Sequence, residues 1–244
     1  MAKIHTIDTF GNNVVACYTT RLGGVSKTPY DSFNLALHVG DRRDDVLHNR
    51  QILKDLIHID NICYMNQIHC NICKYVDNDS EIVTCDSLVT DKKGLALAVM
   101  TADCLPLLLC DSDASIIAAI HCSWRCVRDD IIKNTLDVIH KIKGKNVLLK
   151  AFIGPCITKL SFEVGSDVFD AFVGKNKDYA KAFYKKDDTK YMCDLAKICI
   201  MQLNAFGIFQ IENVDIDTKL HTKEYFSYRH DKITGRQASV IALI

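Results

Sequence analysis

Apolar and β-branched residues gather into short runs at residues 14–18, 61–68, 95–100, 106–110, 116–120, 147–153 and 239–243, the pattern of buried strands. Between them lie stretches with helical period. Residues 44–57 carry Val46, Leu47, Leu53, Leu56 and Ile57; residues 129–142 carry Ile132, Leu136 and Ile139 and are followed by Gly144. Residues 194–206 begin at a capping Asp194, bear Leu195, Ile198, Cys199, Leu203 and Phe206 on one stripe, and end at Gly207. Helices interspersed with many strands predict an α/β or α+β fold in a single domain covering residues 1–244. The segment 95–120 holds three strand-like runs with short breaks, which predicts one local antiparallel or mixed sheet rather than repeated βαβ units.

Composition narrows the class. A chain of 244 residues can bury a sizeable core, and 48% hydrophobic with 25% charged residues is ordinary for a globular protein. Thirty basic residues balance thirty acidic ones, so no net field draws the chain to nucleic acid or an anionic membrane. Neither is expected as a partner. The opening Met1-Ala-Lys-Ile-His-Thr-Ile-Asp8 lacks the apolar core of an export signal, and no apolar run approaches bilayer length. A cytoplasmic location is therefore expected, with the twelve cysteines as free thiols or metal ligands, most of them packing.

Chemistry concentrates where reactive residues follow apolar strands: Met65-Asn-Gln-Ile-His69, Val99-Met-Thr-Ala-Asp-Cys-Leu-Pro106 and Ile117-Ala-Ala-Ile-His-Cys-Ser-Trp-Arg125. His69, Cys104 and His121, brought together, would make a three-ligand metal site with one position left for water or substrate. The spacings match no short structural-zinc signature, so each residue alone also reads as an ordinary surface or core side chain. Cys70-x-x-Cys73 is read as strand packing, because no second knuckle accompanies it. Cys122 and Cys126 read first as packing, with an accessory ligand role as the alternative.

Several motifs occur in one order: Thr20-Arg-Leu-Gly-Gly-Val-Ser26, Asn34-Leu-Ala-Leu-His-Val-Gly-Asp41, Asn49-Arg50, Gln67-Ile-His69, Thr101-Ala-Asp-Cys-Leu-Pro106, His121-x-x-Trp-Arg125, Ile153-Gly-Pro-Cys156, and Phe226-Ser-Tyr-Arg229 with Gly235-Arg-Gln237. Together they resemble the YfiH-type family, known both as laccase-domain polyphenol oxidases and as purine nucleoside phosphorylases, from about residue 17 to 243. The resemblance implies a sandwich of two mixed β-sheets with helices outside, and a metal held by His69, Cys104 and His121. It implies zinc foremost, with copper as the alternative. The implied activities are phosphorolysis of adenosine, inosine and 5′-methylthioadenosine and deamination of adenosine, with polyphenol oxidation also attributed to members. It therefore implies a purine nucleoside and phosphate as partners, with Asn34 among the substrate-binding residues. A cysteine hydrolase with Cys104 as nucleophile and His121 or His69 as base uses the same residues, and the resemblance implies a peptidoglycan-editing role that fits this class. A true multicopper oxidase would need roughly ten histidine ligands, against nine histidines in all.

Phosphate suits arginine's planar fork, and Arg21, Arg125, Arg229 and Arg236 are the candidates, with Arg21 and Arg125 ranked first. Phe33 or Trp124 could stack on a base, though Trp124 reads better as core. For deamination, Asp103 or Glu163 would shuttle protons. The chain departs from the family where His-Ala-Gly-Trp-Arg-Gly reads His121-Cys-Ser-Trp-Arg-Cys126, so neither position has glycine's freedom at positive φ. Asp217 stands for a family cysteine and His230 for a second arginine.

Overall fold

The computed structural model describes residues 3–79 and 82–244, so Met1 and Ala2 of the N-terminal stretch lie outside it. Two six-stranded sheets form the centre. The first runs β1 (Ile4–Thr6), β2 (Val14–Thr19), β15 (Gln237–Leu243), β7 (Leu95–Thr101), β3 (Asn61–Asn66) and β5 (Val83–Thr84). The second runs β14 (Gln210–Asn213), β10 (Leu149–Ile153), β8 (Leu105–Asp111), β9 (Ile117–Cys122), β6 (Ser87–Thr90) and β4 (Cys73–Tyr75). Both are mixed: β7 pairs antiparallel with β15 but parallel with β3, and β10 pairs antiparallel with β8 but parallel with β14. A small third sheet joins β11 (Glu163–Gly165), β13 (Lys190–Cys193) and β12 (Phe183–Lys185).

The sheets stack face to face because their strands are apolar on both sides, the signature of a layer covered above and below. In β8 every residue is buried: Leu108 and Cys110 point into the space between the sheets, Leu105, Leu107 and Leu109 to the outer side. The inter-sheet layer holds Tyr18, Leu97, Val99, Phe152 and Ile241. Outside the first sheet lies α1 (Arg43–Ile57), burying Leu53 and Ile57 against Ala96, Ala98 and Val240. Outside the second lie α2 (Trp124–Arg128), α3 (Ile131–Lys143), α4 (Ser166–Val173) and α5 (Leu195–Ala205). The fold is thus the α+β sandwich of two mixed sheets flanked by helices.

The helices end as their sequences dictate. Asp194 caps α5 by accepting from the Lys197 amide at 2.9 Å, and Gly144 and Gly207 follow their helices at φ 86° and 80°, where an L side chain is strained. Leu47 and Phe206, read into the apolar stripes, are exposed. The single local sheet predicted for residues 95–120 does not form. β7 belongs to the first sheet and β8 to the second, and only β8 and β9 pair as a hairpin. Periodicity cannot distinguish a turn within a sheet from a crossing between sheets when both strands are buried on both faces.

Phe152, 1% exposed, fills the inter-sheet layer. Phe152→Ala should destabilise the protein by about 3–5 kcal/mol, read from urea unfolding. A loss below about 1 kcal/mol would mean that the two sheets do not depend on that layer.

Candidate metal centre

Strand register brings two of the reactive residues onto one face. In the β8–β9 ladder Pro106 lies opposite His121 and Leu105 opposite Cys122, which makes Cys104 a same-face diagonal neighbour of His121. Cys104 itself sits where the chain crosses from the first sheet to the second, after a turn in which Asp103 adopts φ 94°. His69 arrives from the other sheet, on the loop leaving β3. The Gln67 side chain extends that strand by pairing with the Met100 backbone, donating to its carbonyl at 2.8 Å and accepting from its amide at 2.9 Å.

The ligand atoms of His69, Cys104 and His121 all lie within 4.8 Å of one another. The two imidazole rings meet edge to face with centroids 4.9 Å apart. His121 is buried, Cys104 half-buried and His69 exposed, so the group opens outward at the histidine end. Bonds of about 2.0–2.3 Å from imidazole nitrogen and thiolate sulfur place such ligands on one ion after small side-chain rotations. Two imidazoles and a thiolate are a donor set for zinc or copper.

A residue that sequence reading missed holds this arrangement. Asp86, fully buried between β5 and β6, accepts from the amides of Ile68, His69 and Cys70 at 3.2, 3.1 and 2.8 Å. The same carboxylate accepts from His121 Nδ1 at 2.6 Å, which leaves Nε2 as the ligand atom. Burial opposes ionisation of Asp86, but the hydrogen bond and charge of His121, with bonds from Cys70, hold its carboxyl at about 2. Its stabilisation is therefore present above the ordinary aspartate pKa of about 3.9 and lost as pH falls through about 2. Burial, then His121, lowers the pKa of His69, which favours the neutral, metal-binding imidazole. The signal in the sequence was thin: an aspartate after Cys85, in no motif.

The cavity at this centre is about 410 Å³ and includes His38, Gln67, Met100, Tyr228 and Arg236 beside the three ligands. Arg236 is the candidate arginine that lines it. Arg21 does not: its Nε and Nη1 donate to the carbonyls of Asp31 and Thr222 at 2.9 Å each, and its guanidinium faces Asp31 and Asp231 at 3.5 and 3.9 Å. Arg125 is exposed on α2, stacked 4.5 Å over Trp124, and Arg229 donates to the Glu163 carbonyl. Asn34 is fully buried and its amide is used internally, donating to the Ala36 carbonyl and Asp41 and accepting from the amides of Ala36 and Arg236. It shapes the wall that carries Arg236.

Neither proposed proton shuttle lines the cavity. Asp103 accepts from Thr218 Oγ1 at 2.7 Å and the Arg229 amide at 2.6 Å, while Glu163 pairs with Lys186 and Lys190 on the small sheet. Phe33 is fully buried elsewhere, and Trp124 packs on the outer core. Tyr228, half-exposed in the cavity wall, is the aromatic available for stacking. The positions where the family carries glycine are accommodated without positive φ. Ser123 is extended at φ −69°, caps α2 through the Cys126 amide, and donates to Cys126 Sγ at 2.9 Å. Cys126 forms a second ligand-like group with Asp86 and His121, fully buried, whereas Cys122 is core. All twelve cysteines are free thiols. Asp217 accepts from the backbone and hydroxyl of Thr158, bracing the neighbouring loop. No helix among the described residues is long and apolar enough to cross a membrane.

Residues 15–244 match the family described as multi-copper polyphenol oxidoreductase laccase. The purine nucleoside phosphorylase YfiH of Shigella flexneri is 37% identical over 236 residues, covering 95% of this chain and 94% of that protein. A purine nucleoside phosphorylase of Corynebacterium glutamicum is 35% identical over 244 residues, 98% of each. Among solved structures, a Neisseria meningitidis protein superposes with a TM-score of 0.91 at 35% identity, covering 99% of this chain and 98% of that one.

Asp86→Asn puts an amide, which cannot serve as an anionic acceptor on both of its atoms, against His121 Nδ1. Metal affinity should fall about 10–100-fold, measured by competition with a chelator. Unchanged affinity would remove Asp86 from the account of the site.

Proposed function

The chain belongs to the laccase-like polyphenol oxidoreductase family that includes the YfiH-named purine nucleoside phosphorylases, and from that premise we propose that it is a metal-dependent purine nucleoside phosphorylase acting on adenosine, inosine and 5′-methylthioadenosine. One observation carries the choice of reaction. The cavity beside the ligand triad is lined by a guanidinium and, among the described residues, by no carboxylate side chain. Phosphorolysis needs a cation for the phosphate; deamination needs a carboxylate to move protons.

In the proposed reaction a phosphate oxygen attacks the anomeric carbon, and the bond from that carbon to the purine nitrogen breaks. The electron pair leaves with the base, which takes up one proton; the products are free base and the sugar 1-phosphate, ribose 1-phosphate from adenosine or inosine and 5-methylthioribose 1-phosphate from 5′-methylthioadenosine. Arg236 holds the phosphate. Its Nη1 is fixed by the carbonyls of Thr234 and Gly235 at 3.0 and 2.9 Å, and its backbone by Asn34, so the fork is pre-positioned rather than ordered on binding. Tyr228 offers its ring to the purine and, with His38, is a cavity group outside the triad that carries a titratable proton. His69, Cys104 and His121 would hold zinc, with copper the alternative, and the ion would supply Lewis acidity to a substrate oxygen. Polyphenol oxidation by several coppers finds less support. Among the described residues the two ligand-like groups both use His121, so the donors accommodate one centre rather than separate copper clusters.

The test is incubation of the metal-loaded protein with adenosine or inosine, with and without phosphate, and chromatography of the products. Phosphate-dependent appearance of base and ribose 1-phosphate is expected. Base release that ignores phosphate would mean hydrolysis, conversion of adenosine to inosine would mean deamination, and activity surviving full chelation would favour Cys104 as a nucleophile.

Arg236→Gln removes the charged donor and should raise the KM for phosphate about 10–100-fold, from the worth of a charged hydrogen bond. Arg21→Gln, whose donors are engaged by carbonyls and carboxylates, should lower the melting temperature instead and leave that KM near its original value. The reverse pattern would return the phosphate role to Arg21.

A further inference from the structure

The metal cavity has a neighbour. A second cleft of about 380 Å³ is lined by His38, Arg50, Tyr64, Asn66, Thr84 and Met100, among others. It shares His38 and Met100 with the metal cavity, so the two adjoin across those side chains.

Arg50 reaches this cleft from α1. Its Nε donates to the Leu35 carbonyl at 2.9 Å, and its guanidinium carbon lies 3.6 Å from the centroid of the Tyr64 ring. Stacking and this hydrogen bond fix the plane of the fork while committing, among the described residues, only one of its donors. Among the described residues Arg50 has no ion pair, and its titratable neighbours are Tyr64, Arg43 and His38. Asp79 lines the next cleft beyond Arg50 and Tyr64 and is not part of this one. His38 lines both clefts, beside Arg236 in the first and Arg50 in the second. Tyr64 adds a further unmet demand: it is 7% exposed, and its hydroxyl is buried without a hydrogen-bond partner.

A buried hydroxyl left unpaired costs free energy, and a stacked guanidinium with uncommitted donors is the geometry that recognises phosphate bidentately. A phosphate group would take the uncommitted guanidinium donors, and would meet the hydroxyl as well once the edge of the Tyr64 ring turns toward the cleft. We propose that this second cleft is a phosphate-group subsite, in which Arg50 and Tyr64 bind the phosphate and His38 links it to the Arg236 side of the metal cavity. The phosphate has two possible sources, a free inorganic anion or the 5′-phosphate of a nucleotide whose nucleoside part occupies the metal cavity. Only the second source rests on the purine nucleoside reading.

Calorimetric titration of the metal-loaded full chain with adenosine, adenosine 5′-monophosphate and inorganic phosphate tests this. If the phosphate belongs to the substrate, the monophosphate should bind about tenfold or more tightly than adenosine. That ratio should fall to near one in Arg50→Gln and drop by a smaller factor in Tyr64→Phe, which keeps the ring under the guanidinium. If the phosphate is free, inorganic phosphate should titrate two sites per chain, one of them lost in Arg50→Gln. A preference for the monophosphate that survives both substitutions overturns the proposal. So does the absence of any such preference together with a single phosphate site indifferent to both. Should Arg50→Gln fail to fold, the wild-type ratio and Tyr64→Phe decide. Adenosine that binds but is not cleaved with phosphate would end the phosphorylase reading and leave the binding comparison intact.

Discussion

The carboxylate of Asp86 joins parts of the molecule that would otherwise be independent. It stands where the chain passes from β5 in the first sheet to β6 in the second. Three amides of the loop leaving β3 converge on it, and so does the Nδ1 of His121 on β9. One buried anion therefore fixes a loop from one sheet and an imidazole of the other in a single geometry. His69 has φ 61° in that loop, an uncommon conformation for a non-glycine residue, and its amide is one of the three donors. A buried carboxylate is costly unless its lone pairs are met, and here four donors meet them.

The rest of the site follows from the same exchange of chain between sheets. A second crossing, from β7 to β8, carries Cys104, and Asp103 within it is tied to Thr218 and the Arg229 amide. The centre thus sits where both crossings meet, with ligands fixed by ladder register on one side and by Asp86 on the other. Arg236 enters from the loop before β15 and is held by Asn34, whose four hydrogen bonds are internal. The cavity is accordingly framed by side chains held through hydrogen bonds internal to the protein. Its electrostatics come from the Arg236 guanidinium, which forms no ion pair among the described residues, beside a triad of metal-ligating residue types.

The strands at 14–18, 95–100, 106–110 and 239–243 were legible because apolar runs of that length, in a chain this size, must be buried sheet. Their boundaries moved by a residue or two. Which sheet each joined was not legible, because β7 and β8 are apolar on both faces and the turn between them can equally close a hairpin. A short polar-faced strand such as β4 carries no periodic signal. The three ligand-type residues stood out because each follows an apolar run in a motif. Asp86 did not, since its role arises from contacts 16 to 35 residues away. Which arginine lines the cavity was not legible for a related reason: proximity in sequence to glycines or to a ligand says nothing about which carbonyls a guanidinium will find. Arg21 found two, and Arg236 faces the cavity.

Metal analysis of the purified protein tests the central claim most directly. Elemental quantification after exhaustive dialysis, on the wild-type chain and on Cys104→Ala, should find one equivalent of zinc or copper in the first and loss of that ion in the second. Circular dichroism should show the same fold in both, because an open three-ligand centre is built by the sheets rather than building them. Retention of the ion by folded Cys104→Ala, or failure of wild-type protein to bind an ion even on reconstitution, would contradict the account.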